Sequence, residues 1–258
     1  MPAPERRIPA FPGLQALRAA VAFLTRIPVD HGGSVDATAV ARGAIYFPVV
    51  GALIGGASAG VAWALSMAFP TTIAALGAVA TASVLTGTLH IDGLADTADG
   101  YGAANAARAL QIMRDHAVGS YGLVAVFFDL AIKTAATAAL IGKPGGLLFL
   151  VAAGALSRSA GVVIGALAPH ARAEEGLGTL LAGLPRPLPV LVAVLGTAIA
   201  VLCVRLPGLA AAGLVALAGV VWAWHCSRRL GGVTGDTLGA ASEGSEVIVL
   251  LVGLVVTA

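Results

Sequence analysis

Apolar residues run along this chain in blocks too continuous for a surface helix and too long for the alternation of a half-buried strand. Between Gly43 and Ile91 there is no Asp, Glu, Lys or Arg at all. A helix that crosses a bilayer needs about 20 predominantly apolar residues. Six stretches reach or approach that length: 43–69 and 71–91, separated at Pro70; 117–141 and 145–168, joined at the turn GKPGG; 188–204 and 209–226, joined around Arg205, Pro207 and Gly208. A seventh, 247–258, is long enough only for a partial crossing unless its helix begins upstream near Gly239. Ahead of the first span, residues 14–24 (LQALRAAVAFL), interrupted by Arg18, read as an interfacial or packed helix. The pattern predicts an all-α, polytopic helical membrane protein with about 6–7 transmembrane helices. It forms a single integral-membrane domain over 1–258, in which 1–42 is a cytoplasmic or interfacial segment and 43–258 the bundle.

Composition agrees with this. The chain is 58% hydrophobic and 11% charged, with a mean hydropathy of +0.94, where a soluble domain carries about a quarter charged residues. With the N-terminus in the cytoplasm, the inner segments hold Arg6, Arg7, Arg18, Arg26, Arg42, Arg108, Arg114, Arg172, Arg186, Arg228 and Arg229, and the outer turns hold only Lys143 and Arg205. That bias sets the expected orientation. The same assignment puts Asp92, Asp96, Asp99, Asp115, Glu174, Glu175, Asp236, Glu243 and Glu246 on the cytoplasmic side, with Asp129 inside a span. A net charge of +2 requires no nucleic-acid partner. Cys203 and Cys226 lie in apolar surroundings without metal or disulfide spacing. The N-terminus does not resemble a secretory signal. Small-residue runs such as GALIGG and GASAG read as packing faces.

Against this background the segment TGTLHIDGLADTADG, 86–100, stands out. Asp92, Asp96 and Asp99 fall at i, i+4 and i+7 and share one helical face. Their mutual repulsion at a membrane edge calls for a cation. Mg²⁺ suits them, because it prefers carboxylate and water oxygens and bridges one or two carboxylates to substrate phosphates. The bland alternative is a solvated loop with Asp92 as a helix cap. Gly93 and Gly100 allow close approach, and His90 can meet a phosphate or sit at the interface. In RDHAVGSYG, Arg114 can meet a phosphate or simply pair with Asp115. In GGVTGDTLGAASEGSE, Asp236, Glu243 and Glu246 are interspersed with glycines, among them Gly235, whose backbone can offer N–H groups to phosphate oxygens. Within the spans, Asp129 and Lys133 are spaced for an i,i+4 ion pair. Arg158 has no partner nearby in sequence and must find either an acid on another helix or a substrate phosphate. Arg26 and Arg172 are cytoplasmic phosphate-binding candidates. His116, His170 and His225 lack metal-ligand spacing. The candidates are therefore Asp92, Asp96, Asp99, Asp236 and Glu243 for metal, and His90, Arg26, Arg114, Arg172 and Gly235 for substrate. Asp99, Asp115 and Arg158 are the candidates for catalysis.

Taken in order, FLTRIPV, FPVVGALIG, TGTLHIDGLADTADG, IMRDHAVGSYG, SRSAG, ARAEEGLG and GGVTGDTLGAASEGSE resemble the successive motifs of the cobalamin synthase family, the adenosylcobinamide-GDP ribazoletransferases, from about Leu14 to Glu246. The resemblance implies a Mg²⁺-dependent, multi-pass enzyme of the bacterial inner membrane with its active site facing the cytoplasm. Such an enzyme joins adenosylcobinamide-GDP to α-ribazole or its 5′-phosphate, releases GMP and forms adenosylcobalamin or its phosphate. Partners in that setting are these substrates and membrane lipid, with a homo-oligomer or association with other B12-assembly enzymes left open. Displacing GMP from a pyrophosphate requires charge neutralisation, which metal and Arg or Lys supply. A carboxylate such as Asp99 or Asp115 can take the proton of the attacking hydroxyl. Three rivals share features. DGLAD is similar to part of the CDP-alcohol phosphotransferase signature, although Asp96 stands where that signature has arginine. An aspartate-rich prenyltransferase would also use carboxylates, Mg²⁺ and pyrophosphate. A transporter would place its charges near the bilayer midplane.

Overall fold

The computed structural model describes residues 13–29, 37–115, 117–171, 181 and 183–258. Helix α1 (Leu14–Leu24) precedes α2 (Ala37–Gly43), which runs through a 3₁₀ turn, Ala44–Tyr46, into α3 (Phe47–Ser66). Then come α4 (Thr71–Thr86), α5 (Leu89–Tyr101), α6 (Ala106–Ile112), α7 (Ser120–Leu140), α8 (Leu148–Leu167), α9 (Pro187–Val204), α10 (Leu206–Leu230) and α11 (Gly235–Val256). Among the described residues the only β pairing is an isolated bridge between His170 and Val233. Six stretches, Thr38–Ser66, α7, α8, α9, α10 and α11, are long and apolar enough to cross a membrane, and the bent pair of α4 and α5 brings the number to seven if it is taken as one span.

Three boundaries differ from the hydropathy pattern, each for a local reason. The apolar run predicted as one span over 71–91 is broken: α4 stops at Thr86, Gly87 and Thr88 both take φ of 59°, and α5 leaves at 90°. Hydropathy does not register this, because Leu89 and Ile91 are as apolar as the helix before them. The backbone N–H of Arg26 donates to the carbonyl of Leu85 at 2.7 Å, and the Arg26 side chain lies where a Cβ at Gly87 would sit, which pins the bend. At the C-terminus the helix starts at Gly235, upstream of Gly239, so the last segment has the length of a full crossing. Its start is set by a capping box in which the Thr237 N–H donates to Thr234 Oγ1 at 3.2 Å and the Thr234 N–H to Thr237 Oγ1 at 2.8 Å. Finally, α9 and α10 are separated by a single residue, Arg205, with φ of 60°.

Helix α8 is the centre of the bundle, packed against α3, α9 and α11. Its crossing with α3 is backbone on backbone: a Cβ on Gly51 would overlap the Gly154 carbonyl, one on Gly154 would overlap the Gly51 carbonyl, and one on Gly55 would overlap the Leu150 carbonyl. Without a hydrophobic force between helices in lipid, such close packing is what holds them. Gly56 and Gly60, from the same small-residue runs, face open space. GALIGG thus packs through two of its glycines, and the end glycines of GASAG do not pack.

Inside this bundle five charged side chains close on one another. Asp129 and Lys133 come from α7, Arg158 from α8, and Glu243 and Glu246 from α11. Lys133 Nζ lies 3.1 Å from Asp129 Oδ2 and 2.9 Å from Glu246 Oε2, and pairs with Glu243 Oε2. The Asp129 contact is an ion pair by distance, since Oδ2 receives no hydrogen bond of good geometry. Arg158 pairs with Glu246 Oε1 and donates to Ser157 Oγ at 2.7 Å. Four of the five residues are under 9% exposed: Asp129 at 8%, Lys133 at 6%, Arg158 at 3% and Glu243 at 4%. The i,i+4 pair expected within α7 is present, but it is part of a larger cluster. Glu243 and Glu246, expected with the cytoplasmic acids, are instead two turns and more inside α11 and engaged by cations.

Two outcomes follow from the packing. Gly51→Val forces α3 off α8 and lowers the thermal unfolding midpoint in detergent, with a cost of about 1–3 kcal/mol or more for overpacking, while Gly56→Val, pointing into open space, leaves the midpoint nearly unchanged. Lys133→Met strands buried carboxylates and destabilises by about 3–5 kcal/mol, measured by denaturant unfolding, and adding Glu243→Gln to it recovers part of that loss.

Candidate active site

The bend after α4 turns α5 so that its N-terminal end meets the N-terminal end of α11. The crossing point is built on glycine: a Cβ on Gly93 would lie 2.8 Å from the carbonyl oxygen of Asp236, and one on Gly239 would lie 3.2 Å from that of His90. Only glycine permits an approach this close. Beside the crossing is a cavity of about 250 Å³ whose wall includes Asp92, Asp236, Gly235, His90, Arg158 and Ser242. Asp92 and Asp236 each sit in the first turn of their helix, where the helix dipole favours negative charge. Unpaired backbone N–H groups at helix N-termini also suit an anion. Asp92 is exposed and Asp236 half-buried; Thr234 Oγ1 lies 3.3 Å from Asp236 Oδ2. Two buried polar atoms of residues in this wall, His90 Nδ1 and Arg158 Nε, have no hydrogen-bond partner among the described residues. The lining also includes the apolar Leu24, Phe23 and Phe47, the two rings stacked at 5.7 Å and 14°.

The sequence-derived candidates divide on this geometry. Asp92, Asp236, His90, Arg158 and Gly235 come together in the cavity wall. Asp96 lies one turn further along α5, outside that wall. Asp99 is committed elsewhere: its carboxylate accepts the N–H of Gly119 at 2.7 Å and of Gly122 at 2.9 Å. Gly119, the N-cap of α7, has no side chain to cap the helix, and Asp99 supplies the cap from α5. Asp115 and Arg114 are exposed in the turn after α6, and Asp115 Oδ1 accepts the Ala117 N–H at 3.3 Å. Arg26 sits on the α4–α5 bend, and Glu243 is held by Lys133 inside the bundle. Arg172 lies outside the described residues.

Among the described residues no group of three or more His, Cys, Asp and Glu side chains comes together as a metal cluster. Two carboxylates on one wall nevertheless match the way Mg²⁺ is commonly held, by one or two protein carboxylates with water and substrate phosphate completing the shell. Phe23, Leu24, Phe47 and Ser242 were not singled out from the sequence. The first three lie in FLTRIPV and FPVVGALIG, whose apolar side chains look like any others in an oily chain. A larger cavity, about 400 Å³ between α8, α9 and α10, is lined without a single charge, in contrast to the α5–α11 cavity.

Comparison with known proteins agrees over nearly the whole chain. The profile of the family described as cobalamin-5-phosphate synthase matches residues 16–254. Among curated relatives, an adenosylcobinamide-GDP ribazoletransferase of Bradyrhizobium diazoefficiens is 39% identical over 242 residues, covering 92% of each chain. The enzyme of that name from Azorhizobium caulinodans is 39% identical, over 90% of this chain and 92% of the relative. That of Escherichia coli is 38% identical, over 90% and 96%. No solved structure matches. On the extent of these matches, this chain belongs to the cobalamin-5-phosphate synthase family.

Proposed function

We propose that this chain transfers the adenosylcobinamide-phosphate moiety of adenosylcobinamide-GDP to α-ribazole or its 5′-phosphate, releasing GMP, with Mg²⁺ held at Asp92 and Asp236. The observation that carries the site is the meeting of two helix N-termini, each bearing an aspartate in its first turn, on the wall of one cavity. Pyrophosphate needs positive charge around it, and carboxylates alone would repel it, so this wall makes sense with a hard divalent cation between protein and substrate. Bound there, Mg²⁺ would neutralise charge on the pyrophosphate as its bridging bond breaks.

In the reaction, a ribose hydroxyl oxygen of the acceptor bonds to the phosphorus carried by the cobinamide. The bond from that phosphorus to the bridging oxygen breaks, GMP leaves with the electron pair, and the hydroxyl proton passes to solvent water, which the exposed Asp92 can reach. The N-terminal N–H groups of α5 and α11 orient the phosphates, and the Phe23–Phe47 wall offers an apolar surface for a base. A cavity of about 250 Å³ is below the range of sites that enclose drug-sized ligands, roughly 300–1,000 Å³. It holds a nucleoside-sized group and leaves the corrinoid at the membrane surface. The arginine asymmetry between the two sides of the bundle supports a cytoplasm-facing site in a bacterial inner membrane.

Protein reconstituted in liposomes and given adenosylcobinamide-GDP with α-ribazole 5′-phosphate is expected to release GMP in step with cobamide product, and only with Mg²⁺ present. Asp92→Asn and Asp236→Asn are each expected to lower kcat/KM by about 10²-fold or more, the scale of losing one electrostatic contact to a reacting group, and to raise the Mg²⁺ concentration giving half-maximal rate. Wild-type rates in both variants would remove these carboxylates from the site.

A further inference from the structure

We infer that Arg158 is the subsite for the phosphate that the acceptor nucleotide keeps, and that Glu246 is its positioning residue. The inference rests on the function proposed above, in which two anionic groups need different treatment. The pyrophosphate is broken, and it belongs with the carboxylates and their cation. The 5′-phosphate of a phosphorylated acceptor is bound without reacting, so it needs a cationic contact set apart from them. Arg158 provides one. Its side chain is 3% exposed and forms part of the wall of the α5–α11 cavity and of a small cavity of about 60 Å³ that Lys133, Glu243 and Glu246 also line. It therefore stands between the substrate cavity and the buried charge cluster.

The guanidinium is only partly used. Its Nη1 is engaged by Glu246 Oε1 and Ser157 Oγ, whereas Nε is buried without a partner among the described residues. A buried donor left unpaired is costly and rare, and a guanidinium edge matches two phosphate oxygens. His90 Nδ1, the other unpartnered atom of the same wall, can donate to the same anion when it carries the ring proton. Glu246 is shared between Arg158 and Lys133, and Lys133 is also tied to Asp129 and Glu243, so three carboxylates face two cations and what Arg158 offers a ligand is its unpartnered Nε–H donor. Helices α7, α8 and α11 thereby fix the guanidinium in place with its Nε–H edge left for a ligand.

The test compares α-ribazole 5′-phosphate with α-ribazole as acceptors, following GMP release from adenosylcobinamide-GDP by wild type, Arg158→Lys and Glu246→Gln in liposomes. Wild type is expected to prefer the phosphorylated acceptor. In Arg158→Lys the ratio of kcat/KM for the phosphorylated over the unphosphorylated acceptor is expected to fall about tenfold or more, the value of a charge-assisted hydrogen bond, chiefly through the KM of the phosphorylated acceptor. In Glu246→Gln, a near-isosteric change, it is expected to fall in the same direction by a smaller factor. The ratio is taken within one preparation, so a loss of folded protein cancels, and if Arg158→Lys does not fold the Glu246→Gln ratio decides. An unchanged ratio in the variants, with both acceptors slowed alike, overturns the subsite, as does a wild type indifferent to the phosphate. No GMP release by folded wild type with either acceptor removes the proposed function instead.

Discussion

Charges in the interior of a membrane bundle have to be compensated from within the protein, and here that requirement ties three helices together. Lys133 meets carboxylates from its own helix and from α11, and Glu246 reaches across to Arg158 on α8. Removing either cation would leave uncompensated carboxylates in a low-dielectric setting, which costs far more than an intact pair contributes. The cluster therefore restricts how α7, α8 and α11 can sit, and it brings Arg158 to the edge of the α5–α11 cavity. A transporter could also carry charges in its spans, but these are closed on one another, and the exposed carboxylate chemistry lies at the ends of α5 and α11.

The second constraint is backbone proximity. Where α3 crosses α8, and again where α5 crosses α11, glycine removes the Cβ that would hold the helices apart. The α5–α11 crossing exists only because α4 ends early. Gly87 and Thr88, both left-handed, turn the chain by 90° and lay the aspartate-bearing helix across the end of the bundle. A strained Thr88 is a local cost that the Arg26 contact and the packing of α5 offset. Asp99 then ties the far end of α5 to the start of α7 through the Gly119 and Gly122 amides. The three aspartates that look equivalent along the sequence thus have different positions: Asp92 lines the cavity, Asp96 lies beyond it, and Asp99 caps a helix.

Much of the architecture follows from the sequence alone because lipid imposes a simple rule: a run of about 20 apolar residues with satisfied backbone is a helix. Hence the helical class, the number of crossings and the GKPGG turn could be read from hydropathy. The motif order put Asp92, His90, Arg158, Gly235 and Asp236 on the shortlist, since ionisable and glycine-rich positions stand out in so apolar a chain, and the fold brings these five to one cavity wall. What the sequence could not separate was Glu243 and Glu246 from Asp236. All three lie in one glycine-rich acidic segment, and only the start of α11 at Gly235 carries the two glutamates inside, toward Lys133 and Arg158.

By itself, then, the sequence determined the helical membrane class, the family and the residue types available for ionic chemistry, because these depend on composition, on local order and on the spacing of motifs. The tertiary structure alone decided which of those residues meet. The bend at Gly87 and Thr88, the glycine crossing of α5 on α11, and the closure of five charges across three helices are contacts between segments far apart in the chain. No local pattern encodes such partners; they are set by which backbones can approach and which buried charges must be neutralised.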